Sequence, residues 1–217
     1  MTDVVIPLYD GFTALDVVGP YQVLAFTPGV RVRFVGEQVG PVVDDVRSLT
    51  LHTSARLSDV TDPDAVVVPG GPGTEQALNG PIPLWLKDVH EQTTWTTSVC
   101  SGALLLAAAG LLDGQDATSH YSVLDVLPMF GARPTQRRVV ELPDQHVITA
   151  AGVSSGIDMA LRLSELLTDR TSAQAVQLWV EYDPQPPFDS GSPAKASADV
   201  RERAAAYQQE ARTRRTG

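Results

Sequence analysis

The chain from residue 95 to residue 105 reads Trp95-Thr-Thr-Ser-Val-Cys100-Ser-Gly-Ala-Leu-Leu105. Its first half has the composition of a β-strand, and its second half opens a helix with small residues. Cys100 lies between them, at a sharp strand-to-helix turn where a strained residue leaves room only for small neighbours. Doubly wound folds place their sites at the carboxyl edge of the sheet. The segment therefore predicts an α/β fold with an elbow that exposes Cys100 at this edge.

Short β-branched runs alternate with apolar-periodic stretches along the rest of the chain. Strands are predicted at residues 4–8, 30–35, 65–68, 95–99, 116–119 and 147–150. Helices are predicted at residues 16–25, 74–78, 84–92, 101–109, 122–130, 157–167 and 173–181. The pattern is typical of a doubly wound, mostly parallel sheet with helices on both faces, a flavodoxin-like sandwich. Polar, β-rich stretches at 40–51 and 137–147 predict hairpins.

The length of 217 residues suits one α/β domain with a large core. We expect this domain to cover residues 1–193. Prolines between residues 183 and 193 exclude a helix or a sheet interior, so this stretch should be an extended arm or a linker. Residues 194–217, rich in Ala, Glu, Gln and Arg, are expected to form a C-terminal helical tail.

The net charge of −10 and the pI of about 4.7 give no general attraction to nucleic acid or to an anionic membrane. The N-terminus lacks the pattern of a signal peptide, and the longest apolar stretch, 103–109, is too short to span a bilayer. We therefore expect a soluble cytoplasmic protein that acts on small molecules, with no nucleic-acid or membrane partner.

The single cysteine excludes an internal disulfide, so Cys100 is either an inert core residue or a reactive one. Free cysteines are commonly buried and inert. At the predicted turn, however, the N–H groups of the following helix would stabilise a thiolate and lower the pKa of Cys100. The residues alone leave both interpretations open.

Three other positions could assist a reactive thiolate. Asp16 follows the first strand by a short loop, where it could be a helix N-cap or a buried acid whose pKa is raised. Gly70 and Gly71 follow the third strand and could present N–H groups to a developing negative charge, or simply form a tight turn. His120 could orient the substrate or assist proton transfer, or be a structural loop residue.

Two rival sites are weaker. Residues 152–156 fit the pattern G-x-S-x-G, which would make Ser154 a nucleophile, but such enzymes place their histidine after the serine and all four histidines precede it. The histidines also lack helical pair spacing, and a lone cysteine offers no second sulfur ligand. The sequence therefore implies no metal site.

Several motifs together resemble the ThiJ/PfpI superfamily, which has a class I glutamine amidotransferase-like fold. They are Phe12-Thr-Ala-Leu-Asp16-Val-Val-Gly19-Pro20, Pro69-Gly70-Gly71-Pro-Gly73, Ser98-Val99-Cys100-Ser101-Gly102, Ala108-Ala109-Gly110-Leu111-Leu112 and Ser155-Gly156-Ile157-Asp158. The stretch from Gln177 to Pro193 is similar to the end of the isonitrile hydratase branch. Ser101 stands where those hydratases carry threonine, which keeps the hydroxyl.

This resemblance implies a hydro-lyase that adds water to an isonitrile to give an N-substituted formamide. Cys100 would attack the isonitrile carbon to form a thioimidate, and Asp16 would act as general acid and then as general base. Ser101, with Gly70 and Gly71, would hold the nitrogen side or the attacking water. The resemblance also implies a homodimer, and no cofactor is expected.

Two other functions remain open. A glyoxalase or deglycase would use the same cysteine on reactive carbonyls, but those relatives usually carry glutamate at the position of Asp16. A redox sensor would oxidise Cys100 without turnover. Relatives that regulate transcription append a DNA-binding helix pair, and the segment after Pro193 is too short for one.

Overall fold

The computed structural model describes residues 1–216, apart from the side chains of Gln208 and of residues 211–216. The strands are β1 (Thr2–Pro7), β2 (Val30–Gly36), β3 (Gly40–Val43), β4 (Thr50–Thr53), β5 (Ala55–Arg56), β6 (Ala65–Val68), β7 (Trp95–Val99), β8 (Asp116–Ala117), β9 (Arg133–Pro134), β10 (Val139–Leu142) and β11 (Val147–Ala150). The helices are α1 (Ala14–Ala25), α2 (Thr74–Ala77), α3 (Ile82–Val89), α4 (Gly102–Ala108), α5 (Ser155–Leu167), α6 (Arg170–Trp179) and α7 (Ala198–Thr216).

A seven-stranded sheet has the order β10-β11-β7-β6-β1-β2-β5. Neighbouring strands are parallel, except for the antiparallel pair β10 and β11. From β1 the chain adds β2 on one side of the sheet, and from β6 it adds β7 on the other side, so the direction of strand addition reverses between β6 and β1. Loops that follow β1, β6 and β7 meet at this switch point. In open α/β sheets, ligands bind in the crevice at such a point.

Helices cover both faces of the sheet because successive side chains along each strand point to opposite faces. Val4 and Ile6 of β1 pack in a cluster that includes residues of α1 and α5, such as Met159. Val5, between them, packs in the other cluster with residues of α3 and α4, such as Leu86. The predicted doubly wound, mostly parallel sheet with helices on both faces is therefore confirmed.

Both predicted hairpins are present, but they differ in where they lie. The first consists of β3 and β4, which lie between β2 and β5 in the chain and form an antiparallel pair outside the main sheet. The second consists of β10 and β11, which extend the edge of the main sheet. Residues 124–130 of the predicted helix at 122–130 form a 3₁₀ helix. Helix α6 begins earlier than predicted because Asp169 caps it through the N–H groups of Thr171 and Ser172.

The strand predicted at 116–119 is wrong in its place and its length. Only β8, two residues long, forms there, and it pairs with β9 in a small sheet outside the main one. The physical reason is that β11 already occupies the free edge of β7. The chain after β8 still reaches the main sheet, because the N–H of Thr118 donates to the Thr149 hydroxyl at 3.0 Å.

Residues 183–197 form a mostly exposed arm without helix or strand before α7, and a turn at residues 192–196 interrupts it. An ion pair between Lys195 and Asp189 joins two parts of this arm. The division into a domain at 1–193 and a tail at 194–217 stays a prediction. Over the described residues, none of the helices combines the length and the apolar character needed to cross a membrane.

Candidate active site around Cys100

Cys100 lies at the turn between β7 and α4 in a left-handed backbone conformation, with φ of 59°. Its N–H donates to the carbonyls of Ala150 at 3.1 Å and Ala151 at 3.0 Å, and its own carbonyl accepts from the Ser119 hydroxyl at 2.8 Å. A residue other than glycine is strained in this conformation, so it persists only where its surroundings hold it. These hydrogen bonds fix the turn from both neighbouring segments.

Small residues around the turn are required by close backbone approach. A Cβ at Gly70 would lie 2.4 Å from the Ser101 nitrogen and 2.9 Å from the Cys100 Cβ. A Cβ at Gly102 would lie 2.2 Å from the carbonyl oxygen of Val68. These three distances are too short for any side chain, so the turn needs small residues as the sequence predicted.

Asp16 is completely buried, with 0% of its surface exposed. Helix α1 begins at Ala14 with Thr13 as its N-cap residue, so Asp16 is not the N-cap. Its Oδ2 atom accepts a hydrogen bond from the Gly70 N–H at 2.9 Å. Its Oδ1 atom has no hydrogen-bond partner among the described residues. A buried carboxyl oxygen without a partner is rare in proteins and is commonly found where a site binds a ligand or a water.

Burial raises the pKa of Asp16 from its usual value of 3.8 to about 7. The Gly70 N–H and the adjacent Cys100 thiol oppose this rise in pKa, and the negative charge of Asp45 adds to it. The carboxyl group therefore exists in both protonation states near neutral pH, as a general acid and base requires. The direction of the shift agrees with the sequence prediction.

The thiol of Cys100 differs from the sequence prediction. Burial raises the pKa of Cys100 above its ordinary value, and the neighbouring Asp16 carboxylate raises this pKa further. The N–H groups of Ser101 and Val153 face the sulfur and act in the opposite direction, but they do not prevail. Only 6% of Cys100 is exposed, so the predictions of an exposed Cys100 and of a lowered pKa are both wrong, because removal from water outweighs the adjacent amides. The resting form is a thiol beside a carboxyl group.

The glycine loop, residues 69–73 between β6 and α2, contacts Asp16 and the strand-to-helix turn at Cys100 through its N–H groups. The Gly70 N–H donates a hydrogen bond to Asp16, and the Gly71 N–H donates one to the Ser101 hydroxyl at 2.9 Å. Each N–H group therefore already has a protein acceptor, and this arrangement favours an indirect role. A direct contact of Gly70 or Gly71 with substrate stays a prediction.

The Ser101 hydroxyl points to the glycine loop and not to the sulfur. Besides Gly71, it bonds to the Thr74 hydroxyl at 2.8 Å. Sequence reasoning missed Thr74, although its position at the start of the helix after the glycine loop was a usable signal.

His120 reaches the same edge of the sheet as Cys100, although it does so from a loop. Its Nδ1 atom accepts a hydrogen bond from the Ser122 N–H at 3.3 Å, which leaves the ring proton on Nε2. A Cβ at Gly152 would lie 2.4 Å from the His120 Cδ2, so the ring packs on the backbone beside Val153. Burial lowers the pKa of His120. The ring is therefore a neutral hydrogen-bond donor near neutral pH.

Val153 was missed by sequence reasoning. It has φ of 38°, an unfavourable value for a β-branched residue, and its N–H faces the Cys100 sulfur. The segment 152–156 thus supports Cys100. Ser154, the alternative nucleophile that the sequence offers, has an exposed side chain. Its hydroxyl accepts a hydrogen bond from the Arg138 guanidinium at 3.3 Å and bonds to no histidine among the described residues.

Known proteins share the fold and much of the sequence of this chain. The DJ-1/PfpI family matches residues 2–166 of the chain. An isonitrile hydratase of Pseudomonas putida is 41% identical over 194 residues, which cover 89% of this chain and 84% of that protein. The crystal structure of a ThiJ/PfpI family protein from Pseudomonas syringae has a TM-score of 0.88 at 37% identity and covers 98% of this chain and 90% of that one.

A more distant structure, Drosophila melanogaster DJ-1beta, shares the fold with a TM-score of 0.74 at 22% identity, over 83% of this chain and 97% of that one. The family match covers most of the chain and includes all the positions that surround Cys100. The chain belongs to the DJ-1/PfpI family.

Proposed function

We propose that this protein is an isonitrile hydratase that converts an isonitrile and water into an N-substituted formamide. The observation that carries the proposal is the buried pair of Cys100 and Asp16, in which the carboxyl oxygen Oδ1 has no hydrogen-bond partner among the described residues. The similarity to the isonitrile hydratase of Pseudomonas putida supports the same substrate class.

The first step requires a nucleophile and an acid at one carbon. The terminal carbon of an isonitrile is both basic and weakly electrophilic, so it accepts a proton and a nucleophile together. Asp16 as a carboxylate takes the proton from the Cys100 thiol and delivers it to this carbon while sulfur forms a bond to it. The product is a neutral thioimidate on Cys100, and the Asp16 carboxylate is restored.

The second step hydrolyses the thioimidate. Asp16 removes a proton from water as the water oxygen bonds to the thioimidate carbon, and it delivers this proton to the nitrogen, which gives a neutral tetrahedral adduct. The carbon–sulfur bond then breaks, the sulfur takes up the remaining proton, and an N-substituted formamide leaves. One isonitrile and one water are consumed, and both side chains return to their starting states.

The other predicted residues have supporting roles in this proposal. The neutral His120 ring, with its proton on Nε2, orients the substrate from the loop beside Val153. The Ser101 N–H stabilises the sulfur when it is charged, and the Ser101 hydroxyl holds the glycine loop. Gly70 supports the reaction through its N–H on Asp16.

We further propose that the enzyme acts in the cytoplasm as a homodimer. Exposed aromatic side chains support the dimer: Phe26 at the end of α1 is 47% exposed, Trp179 at the end of α6 is 66% exposed, and their rings lie 5.3 Å apart. The substrate is a small molecule, and residues 1–193 form the catalytic unit.

The test is formamide production from cyclohexyl isocyanide by the purified protein. Cys100→Ala should abolish the product while circular dichroism shows a folded protein, and Ser154→Ala serves as the matched control because Ser154 lies on the adjacent loop outside the Cys100–Asp16 pair. Methylglyoxal is the second substrate. Turnover of methylglyoxal alone would replace the proposal with a glyoxalase, and a stable sulfinic acid at Cys100 after peroxide without any turnover would replace it with a redox sensor.

A further inference from the structure

A chain of three hydroxyl groups, from Tyr9, Thr74 and Ser101, contacts the glycine loop. The Tyr9 hydroxyl is 2.8 Å from the carbonyl oxygen of Pro69 and 2.9 Å from the Thr74 hydroxyl. The Thr74 hydroxyl is in turn 2.8 Å from the Ser101 hydroxyl. Thr74 and Ser101 are buried, so each of these polar groups depends on its protein partners.

The direction of every hydrogen bond in the chain follows from its last acceptor. A carbonyl oxygen can only accept, so the single hydroxyl proton of Tyr9 is donated to Pro69. Tyr9 must then accept from Thr74, and Thr74 must accept from Ser101. The Ser101 proton is therefore directed to Thr74 at 2.8 Å in preference to the Gly71 carbonyl at 3.3 Å, and the Ser101 oxygen keeps its lone pairs for other donors.

The oriented Ser101 oxygen has one recorded donor, the Gly71 N–H at 2.9 Å. The Pro69 carbonyl that accepts from Tyr9 and the Gly70 N–H belong to one planar peptide group, and this N–H donates to Asp16 Oδ2 at 2.9 Å. Without Thr74 as its acceptor, the Ser101 proton would turn toward the Gly71 carbonyl at 3.3 Å, and the hydrogen bonds that hold the loop would change. The three hydroxyls therefore act on Asp16 through the position of the glycine loop.

We propose that Tyr9 and Thr74 are positioning residues: they orient the Ser101 hydroxyl as an acceptor, and through the glycine loop they hold the Asp16 carboxyl with Oδ2 engaged and Oδ1 directed to the reaction. The functional part of this inference rests on the proposed hydratase activity. The positional part does not, because it concerns the resting protein.

The test compares Thr74→Val and Tyr9→Phe, which remove a hydroxyl at nearly constant shape, with Thr74→Ser, which keeps it. The control is Thr27→Val, because Thr27 is also buried and hydrogen-bonded, to the Val23 carbonyl and Ser164, at the far end of α1. For cyclohexyl isocyanide we expect kcat to fall by about fivefold in Thr74→Val and Tyr9→Phe, the effect of one neutral hydrogen bond, with KM unchanged. Thr74→Ser and Thr27→Val should retain the parent kcat.

A second readout needs no turnover. The rate of Cys100 alkylation by iodoacetamide is measured across pH, since it reports the coupled ionisation of Cys100 and Asp16. The Gly70 N–H lowers the pKa of Asp16, and the Asp16 carboxylate raises the pKa of Cys100, so a loosened loop should shift the alkylation midpoint away from that of the parent in Thr74→Val and Tyr9→Phe. The charged groups that face Asp16, Cys100 and Asp45, are unchanged in all variants.

The outcomes separate the two proposals. If the parent makes no formamide but the alkylation midpoint shifts in Thr74→Val and Tyr9→Phe and not in Thr74→Ser, the positioning role stands and the hydratase activity fails. Midpoints equal to that of the parent in both hydroxyl-free variants would overturn the positioning role, whatever the substrate. Tyr9→Phe keeps the test possible if Thr74→Val does not fold.

Discussion

Replacing Asp16 by asparagine should remove the activity and stabilise the folded protein at neutral and basic pH. Asparagine has nearly the same shape, and its amide oxygen can accept the hydrogen bond from Gly70 that Oδ2 accepts now. It cannot ionise, so it carries no cost for a buried charge. The substitution therefore isolates the free energy that the protein loses by keeping an ionisable acid at this position.

The magnitude follows from the pKa of Asp16, which is about 7 in the folded protein against 3.8 without burial. Below about pH 4 the acid is protonated in both states, and the two proteins should differ little. As pH rises toward 7, the unfolded parent loses the proton that the folded parent keeps, so the parent loses stability relative to the variant. At about 1.4 kcal/mol for each pH unit, the difference reaches about 4 kcal/mol above pH 7.

The assay is urea denaturation of the parent and Asp16→Asn at pH 4 and pH 8, with the difference in unfolding free energy compared between the two pH values. Asp169→Asn is the control, because hydrogen bonds from Ser172 and Thr171 lower the pKa of Asp169. Asp169 is therefore largely ionised in both the folded and the unfolded parent over this pH range, and the difference in stability between the parent and Asp169→Asn should be nearly the same at pH 4 and pH 8. A difference between the parent and Asp16→Asn that is the same at both pH values would refute the raised pKa of Asp16.

Three further outcomes test the site and its surroundings. Gly70→Ala should lower formamide production and reduce the free energy of unfolding by about 1–3 kcal/mol, because the new Cβ would lie 2.4 Å from the Ser101 nitrogen. Urea denaturation and the formamide assay measure the two effects. A fully active variant of parental stability would contradict the close approach. Ser154→Ala should keep kcat within about twofold of the parent, and a large loss in the same assay would reopen the serine hypothesis. Replacing both Phe26 and Trp179 by serine should shift the protein toward monomer in sedimentation experiments, and an unchanged mass would place the dimer contact elsewhere.

The sheet could be predicted because its signals are local. Each central strand is a short β-branched run followed by a turn, and β6 and β7 were predicted with the bounds that the structure shows. The strand at 116–119 failed because its composition does not reveal that β11 already occupies the edge of β7. Which strand occupies an edge depends on contacts between segments far apart in the chain.

The sequence predicts which residues form the candidate site better than it predicts their pKa values. Cys100, Asp16, Ser101 and the glycine loop lie together because each follows a parallel strand or opens the helix after one. The direction of the Cys100 pKa could not be predicted, since it depends on how completely the turn excludes water. Val153 was equally hidden, because a positive φ at a β-branched residue leaves no mark in the sequence.

The arrangement of donors around Cys100 fits an isonitrile better than a carbonyl substrate. When a thiolate adds to a carbonyl without a proton, negative charge develops on oxygen and requires N–H donors that are free to meet it. Here the N–H groups of Gly70 and Gly71 are donated to Asp16 and Ser101, while those of Ser101 and Val153 face the sulfur. Protonated addition to an isonitrile carbon gives a neutral thioimidate instead. A buried thiol and a buried acid that exchange one proton supply what this reaction needs, because the pair stays at constant net charge throughout the step.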